Sequence, residues 1–88
     1  MLELGTLIEN GAKPVFAAYL NGEPLTVELD SSAVLKLHDG ASGVALYTLL
    51  DSRRAQIRTV AQRLFNQRFI SRSEDGTRKI IVSAIDLI

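Results

Sequence analysis

The chain contains no cysteine, which excludes disulfides, thiolate metal sites and a cysteine nucleophile. Its single histidine, His38, excludes three-histidine metal sites and triads needing a second histidine. His38 reads as a capping or surface group at a helix end. Glycine-rich phosphate motifs and the nucleophile elbow are missing, and Gly40 and Gly43 around Ala41-Ser42 read as a loop and helix start. Aromatics are few, and Phe16, Tyr19, Tyr47, Phe65 and Phe69 fall mainly at core positions, with no exposed ladder for stacking bases. The carboxylate pairs Glu28/Asp30 and Glu74-Asp75 read as a solvated strand face and a turn. No catalytic, cofactor or metal constellation is therefore expected. No apolar run nears the roughly 18 residues of a membrane-spanning helix. Glu3 and Glu9 do not fit a signal peptide, so a cytoplasmic location is the default expectation.

What is present suits one small globular domain, residues 1–88, with 47% apolar and 23% charged residues. A chain this short buries only about 60% of its unfolded surface, so some apolar material is available for burial between subunits. Net charge is zero but unevenly spread. Residues 1–50 hold two bases against six acids, and residues 51–88 hold eight bases against four acids. That asymmetry fits a nucleic-acid or membrane surface, and equally two halves that attract each other.

Hydrophobic periodicity predicts an α+β fold: a small antiparallel sheet, made of an N-terminal β-hairpin and C-terminal strands, packed against one long and one short helix. Leu2–Ile8 reads as a short strand ended by Asn10-Gly11. Val15–Leu20 and Leu25–Leu29 alternate around Asn21-Gly22, the strongest short-range hairpin signal. In the return strand Leu25, Val27 and Leu29 point inward, and Thr26 and Glu28 outward. Asp30-Ser31-Ser32 offers cap oxygens for a short helix over Ala33–His38, closed by Asp39-Gly40. From Ser42 a second helix is expected over about Gly43 to Arg68, with Leu46, Leu49, Leu50, Ile57, Val60, Ala61 and Leu64 on one face. Its length of about 39 Å exceeds the roughly 30 Å diameter of such a domain. Either it breaks near Asp51-Ser52 or it overhangs; one continuous helix, bent or overhanging, is the preferred expectation. Phe69–Ser73 and Thr77–Leu87 read as closing strands around Glu74-Asp75-Gly76, and the consecutive Ile80, Ile81 and Val82 suggest apolar contact on both faces.

The stretch Ser52–Arg72 carries Arg53, Arg54, Arg58, Arg63, Arg68 and Arg72 with no lysine and no acid. On a helical projection from Ile57, Arg54 and Arg58 lie at about 60° and 100°, near Phe65, and Arg63 at about 240°. Arg53 and Arg68, at about 320° and 20°, intrude on the apolar arc. The arginines thus do not form the single stripe expected of a phosphate-tracking helix. Arg53 fits a kinked position or a snorkelling stem, or else an ion pair with Glu28 or Asp30.

The run Leu25-Thr26-Val27-Glu28-Leu29-Asp30-Ser31 follows a hairpin with Val15-Phe16 and Asn21-Gly22. Further on come Leu50-x-x-Arg53-Arg54-x-x-Ile57-x-x-x-Ala61 and Gly76-x-x-x-Ile80-Ile81-Val82-x-x-x-Asp86-Leu87. Across residues 14–88 this resembles the small bacterial family known as domain of unknown function 1488. The resemblance implies a compact α+β domain of bacterial origin and carries no activity or functional residues.

These readings point first to a non-enzymatic binding module that forms a homodimer through the long helix and last strand. The alternative is a nucleic-acid-binding domain. Contact residues for either are Arg53, Arg54, Arg58, Arg63 and Arg72, joined for nucleic acid by Arg78 and Lys79.

Overall fold

Asn21 and Gly22 both take positive φ, 52° and 86°, as a type I′ turn requires. In the computed structural model, which describes residues 2–10, 13–38, 46–72 and 74–87, this turn joins β2 (Lys13–Leu20) to β3 (Glu23–Leu29). Their register runs from Leu20↔Glu23 to Val15↔Glu28. Strand β1 (Leu2–Asn10) pairs antiparallel with β2, and its register shifts between Leu4 and Leu7. Gly5 sits in that bulge, where a Cβ would come within 3.2 Å of the Ala17 carbonyl oxygen. The last strands are β4 (Ser71–Arg72) and β5 (Arg78–Val82), and the sheet order is β1-β2-β3-β5-β4.

The α+β class holds, with one refinement to the sheet. β5 runs parallel to β3, from Thr26↔Lys79 to Leu29↔Val82, because the chain crosses over three helices before it returns. The helices are α1 (Ser31–His38), α2 (Leu46–Ser52) and α3 (Arg54–Asn66). Phe16, Ala18, Val27, Leu29, Ile80 and Val82 from the sheet share one core with Ala33, Leu50, Ile57, Ala61 and Leu64 from the helices. The expected turns at Gly11 and Asp39-Gly40, and the cap at Ser42, lie outside the described residues.

The continuous 26-residue helix is not formed. The Ser52 hydroxyl donates to the Leu49 carbonyl at 2.6 Å, and the Arg53 N–H is shared between the Leu49 and Leu50 carbonyls at 3.1 Å each. A side chain back-bonded to the preceding turn and a three-centre main-chain bond are recognised causes of a helix bend. Arg53 takes φ −101° and ψ 13°, and α3 starts anew at Arg54. At 13 residues, α3 is about 20 Å long and fits within principal extents of 36 × 25 × 19 Å. The overhang therefore disappears.

Two further expectations are corrected at helix ends. Arg68 is not on the apolar face of α3 but beyond its C-terminus, at φ 66°. The Phe69 N–H donates to the Leu64 carbonyl at 2.9 Å and the Arg68 N–H to the Phe65 carbonyl at 3.0 Å, a Schellman closure. The last strand ends at Val82 rather than Leu87. There the Asp86 carboxylate accepts the Ser83 N–H at 2.9 Å and starts a 3-10 turn over Ala84–Leu87.

Two of the left-handed positions, Arg68 and Gly22, yield stability predictions. Arg68 occupies a site that favours glycine, so Arg68→Gly should raise the unfolding free energy by about 0.5–1 kcal/mol. Gly22→Ala should lower it by about 1–2 kcal/mol, although nothing lies within 4 Å of the added methyl, because the cost is in the backbone alone. Urea denaturation of the three proteins checks both signs.

Candidate interaction face

The arginines of the Ser52–Arg72 run do not converge on one surface. Arg53 is exposed at the helix bend, so it forms no buried ion pair with Glu28 or Asp30. Arg54 reaches across to the edge of the sheet. Its Nη1 donates to the Gly5 carbonyl at 2.6 Å and the Leu4 carbonyl at 3.3 Å, and its Nη2 to Asp51 Oδ1 at 2.9 Å. The same guanidinium lies 5.2 Å from the centre of the Phe16 ring. Arg58 lines a groove of about 530 Å³ beside β1, together with Leu4, Arg54 and Ala55. Arg63, on the other flank of α3, donates to the Asp86 carbonyl at 2.9 Å, and Arg72 to the Gly76 carbonyl at 3.2 Å. Phe65 lies 5.7 Å from the Arg78 guanidinium, which pairs with Glu23 at 2.6 Å.

The C-terminal ends of the parallel strands β3 and β5 carry a polar cluster that the sequence did not single out as a unit. Asp30 Oδ1 accepts the Ser32 hydroxyl at 2.6 Å and the Ala33 N–H at 2.9 Å, and Oδ2 accepts the Ser83 hydroxyl at 2.6 Å. The Ser32 hydroxyl oxygen accepts the Ala84 N–H at 3.0 Å. Asp30 thus caps α1 and ties it to the turn after β5. The Ser32 and Ser83 hydroxyls, followed by the Ala33 N–H, hold its carboxyl below the ordinary carboxylate range. A general base at neutral pH calls for a shift in the opposite direction. Among the described residues, no group of three or more His, Asp or Glu side chains is placed to hold a metal ion.

The remaining candidate is the sheet face turned away from the helices. Strand alternation brings Ile8, Val15, Glu28 and Ile81 into one row across β1, β2, β3 and β5. Ala17, Thr26 and Lys79 form the next row, and Glu3, Tyr19 and Pro24 the one beyond. Ile8 is 44% exposed, Tyr19 51% and Ile81 37%. The turn between β4 and β5 borders a depression of about 560 Å³ on this face, floored by Val15 and Thr26. Glu28, Glu74 and Asp75 lie around it with Lys79. Of this face, the sequence signalled Ile81 through the run Ile80-Ile81-Val82. Ile8 gave no signal, because its place depends on the bulge that shifts the β1 register.

Compared with protein families, curated proteins and solved structures, the chain matches none. No helix among the described residues is long and apolar enough to cross a membrane.

The Asp30 cluster predicts a defined pH dependence. Because the folded pKa lies below the unfolded value of 3.8, its stabilisation is complete above that value and is lost as pH falls through the folded pKa. Asp30→Ala should therefore cost about 1–2 kcal/mol near neutral pH. The gap to the parent should narrow below about pH 4, as chemical denaturation across a pH series would show.

Proposed function

We propose that this chain is a non-enzymatic interaction module that docks through the open face of its sheet and takes a second copy of itself there. The observation that carries the reading is the exposure of Ile8, Tyr19 and Ile81 on a sheet face that no described helix covers, with Ile8, Val15, Glu28 and Ile81 in one row. A solvated antiparallel face ordinarily alternates to polar residues. Here Ile8, Tyr19 and Ile81 remain at the surface together, and an exposed apolar patch rimmed by polar groups favours protein contact.

The rim suits a two-fold contact. Lys79 and the acids Glu28, Glu74 and Asp75 share one depression, so an isologous pairing sets each lysine against the partner's acids. Five strands spaced about 4.8 Å apart give a footprint of about 20 by 20 Å. That lies at the small end for a specific interface, in the size range of weak or transient contacts. The interface proposed from the sequence, on a long helix and the last strand, moves accordingly. The long helix is broken, and β5, interior to the sheet, contributes through Ile81.

The nucleic-acid alternative has less support. Arg54, Arg63 and Arg72 already donate to main-chain carbonyls, and Arg54 and Arg63 lie on opposite flanks of α3. A phosphate backbone would have to displace these bonds at separated sites.

Sedimentation equilibrium provides the test. At tens to hundreds of micromolar the parent should approach twice the chain mass of 9.6 kDa. Ile81→Lys should remain a monomer of unchanged fold, and Arg58→Glu, on the helical side, should behave as the parent. A parent that stays monomeric throughout, or an Ile81→Lys variant that still dimerises, would sink this reading. Salt-sensitive binding to a DNA or RNA duplex by the parent would shift it to nucleic acid.

A further inference from the structure

We infer that Arg54 and Gln62 form an edge guard that keeps a second copy of this chain from adding a strand alongside β1. The strand β1 is nine residues long and lies at one edge of the sheet. Such an edge presents a row of outward N–H and C=O groups, which makes it a template for another strand. The opposite edge, β4, has only two residues and offers little to pair with.

Three main-chain groups on the first half of β1 are already taken by side chains of α3. Gln62 Oε1 accepts the Leu2 N–H at 2.7 Å. The Arg54 guanidinium takes the Leu4 and Gly5 carbonyls. Both partners are themselves held in place. Gln62 Nε2 donates to Asn66 Oδ1 at 3.1 Å, while Arg54 is fixed by Asp51 and by the Phe16 ring. One helix thus supplies both an acceptor and a donor to this edge. The bulge between Leu4 and Leu7 completes the device, because it turns the rest of β1 out of line. Past it only Leu7–Asn10 continues, less than half of the nine-residue strand.

The guard and the open face separate two modes of association. Pairing of β1 with the β1 of another copy would extend the sheet across two chains, whereas the contact through the open face stacks one sheet on another.

The test is the double variant Arg54→Met/Gln62→Leu, which keeps apolar stems of similar length and removes the guarding polar groups. Far-UV circular dichroism establishes that it folds, and light scattering coupled to gel filtration gives its mass beside the parent's. The variant's mass should at least double relative to the parent at the same concentration and grow with concentration. Adding Thr6→Lys, which charges the exposed bulge, should return it to the parent's state. A folded double variant that tracks the parent at every concentration overturns the inference, and so does an assembly that Thr6→Lys leaves intact. Should the double variant fail to fold, Gln62→Leu alone must associate beyond the parent, or the guard is refuted. All masses are compared with the parent's own, so a monomeric parent would defeat the face dimer without touching this inference.

Discussion

The bend at Ser52-Arg53 is the constraint on which the rest of the arrangement depends. A single hydroxyl bonded back to Leu49, together with the shared Arg53 N–H, divides one apolar helical stripe into two short helices. Leu50 before the bend and Ile57 after it are both fully buried in the same core. Without the bend the helix would run past the sheet, and Arg53 would occupy the apolar slot between those residues. With it, Arg53 turns to water and Arg54 comes to lie over Phe16, within reach of β1. The Arg54 side chain is still 36% exposed, so its ion pair with Asp51 contributes little by itself. Its larger role is to satisfy edge carbonyls that no strand covers.

The same logic explains how the uneven charge of the two halves is used. Complementary halves suggest a chain laced by ion pairs, and Arg78–Glu23 joins an acid of the first half to a base of the second. Arginines otherwise go to main-chain oxygen: Arg54 to Leu4 and Gly5, Arg63 to Asp86, Arg72 to Gly76. These carbonyls sit at an edge, a 3-10 turn and a tight turn, where secondary structure leaves acceptors over. A planar group with five donors and no acceptor is suited to them. The acid-free run is thus largely a means of finishing the main chain.

Legibility in the sequence followed the range of the interaction. The hairpin could be read because Asn21-Gly22 and the alternation of Leu25, Val27 and Leu29 are local signals. So could the Asp30 cap, which needs only the next three residues. The parallel pairing of β3 with β5 could not, since nothing near Ile80 names Val27 as its partner. Apolar spacing of three and four residues continues through Arg53, so periodicity alone hid the break, although Asp51-Ser52 carried a cap-type signal. Extrapolating one wheel also placed Arg68 on a helix that had ended at Asn66; the polar pair Asn66-Gln67 marked the stop. Ile80-Ile81-Val82 looked buried on both faces, whereas Ile80 and Val82 enter the core and Ile81 does not. The open face itself emerges only when the β1 bulge sets Ile8 beside Val15.

A two-layer domain with helices on one side has two kinds of unfinished surface, the edges of its sheet and the bare face. Here the two are treated differently. Main-chain groups at the β1 edge are met by Arg54 and Gln62, and the β4 edge stops after two residues. Side chains on the bare face are left apolar at Ile8, Tyr19 and Ile81. Solubility alone would favour the reverse, because a polar substitution on an exposed face costs little stability and an edge is equally well blunted by a single lysine. Side chains from a second element, each with its own supporting contact, are a more demanding solution. That contrast sets the bare face apart from the edges: among the described residues, its apolar side chains stand on a sheet surface that no helix covers.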